Sequence, residues 1–118
     1  MSPEAIREVL VRRGCPPHVV EGGADGLIAG WRRFVSQVEA GYPMGLDEYR
    51  NDLDLRSLIE AAGLAADVAD EDRRLRALLT RTGLAVWSSD SADAFWVRGY
   101  PANASGELLA DLKTRMGA

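Results

Sequence analysis

The chain has few of the residues that most often carry chemistry. Its 118 residues include one cysteine, Cys15, and one histidine, His18. A lone cysteine cannot close an internal disulfide, which suits a reducing compartment. Cys15-Pro16-Pro17-His18 has the spacing of half a zinc site. A structural zinc wants four ligands, and the other half is missing. The plainer reading is a rigid helix entry with a buried thiol and a surface imidazole. No Walker loop, nucleophile elbow or Ser-His-Asp set occurs.

Other absences exclude other classes. No apolar run approaches the roughly 18 residues of a membrane span. MSPEAIREVL holds acids and lacks a cationic leader before an apolar block, so no secretory signal is expected. The match of Asn103-Ala104-Ser105 to the glycosylation pattern then reads as accidental. Lysine is nearly missing: every cation except Lys113 is an arginine, and alanine is abundant, as in a GC-rich bacterial genome. There is no basic stripe either. The net charge is −4 and the signs are mixed along the chain, which argues against nucleic acid and against a polybasic membrane anchor. A cytoplasmic, soluble chain without a cofactor is expected.

What is present is helical punctuation, and it predicts a single domain over residues 1–118. Ser2, Pro3 and Glu4 are N-cap, first-turn and dipole signals, and Gly14 is a stop, so a helix is predicted over 3–13. A second helix is predicted over 17–40. Val20, Ala24, Leu27, Trp31, Phe34 or Val35, and Val38 recur at spacings of three and four. This stripe runs straight through EGGADGLIAGW, which has four glycines in eleven residues. A phosphate-cradling loop would follow a strand and interrupt the periodicity, so a ligand cradle is disfavoured. Each glycine costs a helix about 0.5–1 kcal/mol relative to alanine. Gly22, Gly26 and Gly30 lie away from the Trp31 side. They are therefore expected to let another element approach closely, within the chain or across a partner contact, with the helix buried on two sides at its start.

Gly41-Tyr42-Pro43-Met44-Gly45 is a loop. In LDEYRNDLDLRSLIEAAG, Leu46, Tyr49 and Leu53 share one helical face, whereas Leu55, Leu58, Ile59 and Ala62 fall on the other. The simpler reading is two short helices, 46–52 and 54–62, capped by Asp47 and Asp54. Asp67 to Thr82 is a further helix with acids at its start and Arg81 at its end. Leu84-Ala85-Val86-Trp87 and Phe95-Trp96-Val97-Arg98 flank a polar turn and predict a β-hairpin over 84–98. A last helix is predicted over 106–116. The fold class is thus mainly α: a compact bundle of five or six helices around the glycine-rich helix, with a small C-terminal hairpin.

Two stretches could carry function. Asp47, Glu48, Asp52 and Asp54, with Arg50 and Arg56 between them, could hold a metal or act as an acid and base, with His18 brought near by folding. Capping, and an Asp52–Arg56 pair at i, i+4, is the plainer account. On the hairpin, alternation puts Phe95 and Val97 on one face and Trp96 and Arg98 on the other. With Phe95 inside, Trp96 and Arg98 face outward, and Trp and Arg are the residue types that dominate interfaces. Trp96, Arg98, Trp87, Asp52, Asp54 and Arg56 are therefore the candidate partner-binding residues. No catalytic residue and no metal ligand is assigned.

Val20-Glu21-Gly22-Gly23, Trp31, Gly41-Tyr42-Pro43 and Asn51-Asp52-Leu53-Asp54 resemble the pattern of a group of small bacterial proteins without a known activity. The likeness covers about the first two-thirds of the chain and a later LAVW strand. It implies a stand-alone bacterial protein and assigns no role to any residue. The expected function is binding to another protein, as immunity proteins, antitoxins or adaptors do. The alternatives are a small metal-dependent enzyme or metal-binding protein built on Asp47 to Asp54, and a structural homodimer.

Overall fold

The computed structural model describes residues 2–79, 81–85 and 95–116. Helix α1 spans Pro3–Arg12; the Ser2 hydroxyl accepts from the Ala5 amide at 3.1 Å, and Ile6 and Leu10 are buried. Gly14, at φ +73°, lets the chain leave the helix. Helix α2 spans Pro17–Ala40 and presents Val20, Leu27, Trp31, Phe34, Val35 and Val38 to the core. Both helices lie where their periodicity and caps put them, apart from fraying by one residue.

The glycines of α2 behave differently from expectation. A Cβ built on Gly22 or Gly26 would meet nothing within 4 Å, and both positions are exposed. Of these glycines only Gly30 is closely approached among the described residues: a Cβ there would lie 2.9 Å from Leu55 Cδ2. The start of α2 is therefore covered on one side, by α1, and open on the other. Gly23 has its own reason: at φ 57°, ψ −150° it breaks the helical backbone and kinks α2. Most side chains would be strained there.

Helix α3 runs unbroken over Leu46–Ala61, so the expected division near Asn51-Asp52 does not occur. Both α2 and helix α5, Gly106–Met116, pack against it. Its buried residues, Leu46, Tyr49, Leu53, Arg56 and Ile59, form one drifting stripe. Arg56 occupies the position that joins the two apolar faces. The α3 N-terminus is capped across the fold: Asp111 Oδ2, from α5, accepts from the Leu46 amide at 2.9 Å, and Asp47 is exposed. Gly45 permits this approach, since a Cβ there would lie 2.7 Å from Asp111 Oδ2.

A 3₁₀ turn, Ala65–Val68, leads into helix α4, Ala69–Leu78. This helix starts later and ends earlier than the acids and Arg81 suggest. Leu79 leaves helical geometry at ψ 68°, and the Leu78 carbonyl accepts from the Ala102 amide at 2.7 Å. Strand β1, Arg81–Ala85, then pairs antiparallel with β2, Arg98–Tyr100, with Arg81 opposite Tyr100 and an irregular register between. The described strands extend outward from the expected 84–98 at both ends, Val86 and Trp87 lie outside the described residues, and Phe95–Val97 is a 3₁₀ turn instead of strand. Asn103 Nδ2 donates to the Val38 carbonyl at 2.8 Å and closes the end of α2.

The result is a mainly α bundle with a two-stranded C-terminal ribbon. Its centre is aromatic. Phe34 stacks on Trp31 at 5.1 Å between centroids and packs against Tyr42 and Tyr49, and Tyr49 reaches Tyr100 on β2 at 6.0 Å. Among the described residues no helix is long and apolar enough to cross a membrane.

Candidate functional site

Arg56 is the most deeply buried charge described, at 4 % exposure. Such a charge must be paired, because desolvation alone would cost several kcal/mol. Its partner comes from α4. Asp72 receives the guanidinium in a fork: Arg56 Nε donates to Oδ1 at 3.0 Å, and Nη2 donates to Oδ2 at 2.7 Å. Asp72 Oδ1 also accepts from Trp31 Nε1 at 2.9 Å, which ties α2 into the same node. Arg56 Nη1 donates to Glu60 Oε2 at 2.9 Å, one turn along α3. Burial works against the charge on Arg56. The hydrogen bonds to Asp72 and Glu60 outweigh it, so its pKa stands above the ordinary arginine value.

The 3₁₀ turn completes the site. It brings Trp96 onto Arg56, with the guanidinium carbon 4.5 Å from the ring centroid. Phe95 packs edge-on against Trp96 at 5.4 Å, and Arg76 of α4 lies 4.7 Å over the Phe95 ring. Between these groups is an open groove of about 370 Å³. Arg56 and Trp96 form its buried part, Ala65, Ala69 and Phe95 its apolar sides, and Arg73 and Arg76 its exposed edge. Glu60 and Asp72 also line it, but both already accept from Arg56.

Of the partner-binding candidates among the described residues, the fold brings together Arg56 and Trp96. Trp96 is 4 % exposed, so the outward-facing Trp96 expected from strand alternation is corrected: a 3₁₀ turn does not alternate, and the indole turns inward onto the arginine. Trp87 lies outside the described residues, as does the side chain of Arg98. Asp52 does not pair with Arg56. It accepts from the Tyr42 hydroxyl at 2.5 Å, beside a cleft of about 220 Å³ that also involves Arg33 and Gln37. Burial, and then this bond, raise the Tyr42 pKa well above its ordinary value.

Asp54 is mid-helix and exposed, with its carboxyl pKa raised by partial burial. Asp47 and Glu48 are exposed, and so is His18 at the far end of α2. Among the described residues no three His, Cys, Asp or Glu side chains gather as a metal-binding group. Glu60, Asp72, Arg73 and Arg76 are not among the candidate residues of the sequence, and Phe95 is expected there only as the inward face of a strand. Two signals point to them: an arginine at the stripe position of α3, and Asp72 facing it from a helix full of charge.

Compared with known proteins, the chain matches no family model, no curated protein and no solved structure.

Proposed function

We propose that this chain acts by binding another protein, in the manner of an immunity protein, antitoxin or adaptor, and that the groove beside Arg56 and Trp96 is its contact face. The observation that carries the reading is the make-up of the groove: a half-buried Phe95 with Arg76 over its ring lines an open concave surface, and the buried Arg56–Trp96 pair forms its floor. Trp, Phe and Arg are enriched where interfaces concentrate their binding energy. The groove is large enough for one or two side chains and lies at the lower end of the range of ligand pockets. Its two carboxylates are held by Arg56, so neither is poised as a general base.

The test uses a plug. Ala69 is exposed, lines the groove and opens α4. Ala69→Phe fills the cleft without entering the core. A partner captured stoichiometrically on the tagged chain from its source cells is titrated against the wild type, Ala69→Phe and Gly26→Ala. The expected result is a loss of about tenfold or more in affinity for Ala69→Phe, at an unchanged unfolding midpoint, with Gly26→Ala like the wild type. Equal affinity for Ala69→Phe contradicts the reading, and so does the absence of any stoichiometric partner.

A further inference from the structure

The buried part of the groove carries hydrogen-bond donors that no described acceptor meets. Trp96 lines it, and the indole Nε1–H is buried with no acceptor among the described residues. Arg56 donates once from Nε to the Asp72 fork, once from Nη1 and once from Nη2. One N–H on each terminal nitrogen is therefore left without an acceptor among the described residues. Asp72 cannot supply more: its oxygens already receive Arg56 and the Trp31 indole, and Glu60, the other carboxylate of the groove, meets Arg56 Nη1 from the half-exposed rim. At the exposed edge Arg73 is engaged by Asp70, whereas Arg76 has no ion-pair partner among the described residues. A buried donor left unmade costs about 1–3 kcal/mol, so this surface favours an occupant that brings acceptor oxygens.

From these unmet donors beside two aromatic rings we infer the class of the occupant: a segment of a partner protein that carries a carboxylate next to an aromatic side chain. The carboxylate accepts from the Trp96 Nε1–H and meets the guanidinium of Arg76, and the aromatic ring packs on Phe95 between Ala65 and Ala69. A net charge of −4 repels acidic partners in general, so the local cations select where such a segment can land. The inference rests on the protein-binding reading above and sharpens it.

The experiment follows the Trp96 indole N–H by proton–nitrogen NMR on the full chain, with the resonance assigned through Trp96→Phe. The probes are the peptides acetyl-Phe-Asp-Phe-Asp-amide and acetyl-Phe-Asn-Phe-Asn-amide, and inorganic phosphate. The expected result is a saturable downfield movement with the acidic peptide at millimolar concentration, about tenfold weaker affinity for the amide peptide, and loss of the effect in Ala69→Phe. An indole resonance that stays still with the acidic peptide overturns the inference. So does equal affinity for the amide peptide, or an equal response to phosphate. If Ala69→Phe abolishes capture of the partner while the peptides leave the indole unmoved, the contact face stands and the carboxylate falls. If the acidic peptide moves the indole but Ala69→Phe still binds the partner, the protein-binding reading of the groove falls.

Discussion

Arg56 lies over the face of Trp96, 4.5 Å from the ring centroid, and is held there by the carboxylate of Asp72. Three elements meet at this contact: α3 supplies the cation, α4 the anion and the 3₁₀ turn the ring. The groove exists because these three are fixed together.

The two acids on Arg56 are not equal. Asp72 is 15 % exposed and holds both the guanidinium and the Trp31 indole, whereas Glu60 is 50 % exposed. Asp72→Ala leaves a buried cation short of its main partner and is expected to cost about 3–5 kcal/mol. Glu60→Ala is expected to cost less than about 1 kcal/mol. Urea unfolding of the two variants side by side checks the difference. Similar losses would mean that Arg56 draws on both acids alike.

The glycines of α2 separate by role. Gly26→Ala is expected to stabilise by about 0.5–1 kcal/mol, since its site is helical and open. Gly23→Ala is expected to destabilise by about 1 kcal/mol or more, because alanine is strained at φ 57°. Thermal unfolding reads both signs, and a destabilised Gly26→Ala would restore close packing as the reason for that glycine.

Tyr49 and Tyr42 differ by one hydrogen bond. The Tyr49 hydroxyl is buried with no partner among the described residues, whereas Tyr42 donates to Asp52. Tyr49→Phe is expected to be neutral or stabilising by up to about 1 kcal/mol, and Tyr42→Phe to cost about 1–2 kcal/mol. Chemical denaturation of the two variants near neutral pH distinguishes these outcomes.

The same hydroxyls set an alkaline limit. Burial raises both pKa values above their ordinary value of 10.0. Below pH 10 both states hold the phenolic protons and the contribution to stability is complete. Above it the unfolded chain releases them first, so stability falls as pH rises, by up to about 1.4 kcal/mol per pH unit for each tyrosine. Urea midpoints followed to about pH 11 should show this fall, and each Phe variant should flatten it. A wild-type curve level across that window contradicts the assignment.

The cap of α3 is tertiary. Asp111→Ala is expected to cost about 1 kcal/mol, as loss of an N-cap does. Gly45→Ala is expected to cost a similar amount by displacing the same carboxylate, and the double variant should cost less than the sum of the two. Strict additivity, measured by thermal unfolding, would break the link between them.

Much of the fold was readable because its signals are local. Ser2-Pro3 and Gly14 frame α1, the spacing from Val20 to Val38 fixes the face of α2, and α5 spans the predicted 106–116. The misreadings occur where a distant residue decides. Arg56 reads as a surface charge until Asp72 and Trp96 are placed beside it, and without it the stripe of α3 breaks in two. Asp47 reads as a cap until Asp111 reaches Leu46. Trp96 fits a strand by composition, but its 3₁₀ turn turns the indole inward. At the candidate site, Arg56 and Trp96 were legible as residues of interest. Their meeting was not, because nothing local encodes a pairing between α3 and a turn some forty residues on.

The most direct test of the groove as the contact face is hydrogen–deuterium exchange of the chain with its captured partner. The account predicts new protection over α4 and at residues 95–97, with α1 and the open side of α2 near Gly22 and Gly26 unchanged. Protection confined to α1 and that glycine face, with α4 and residues 95–97 exchanging as in the free chain, would contradict it.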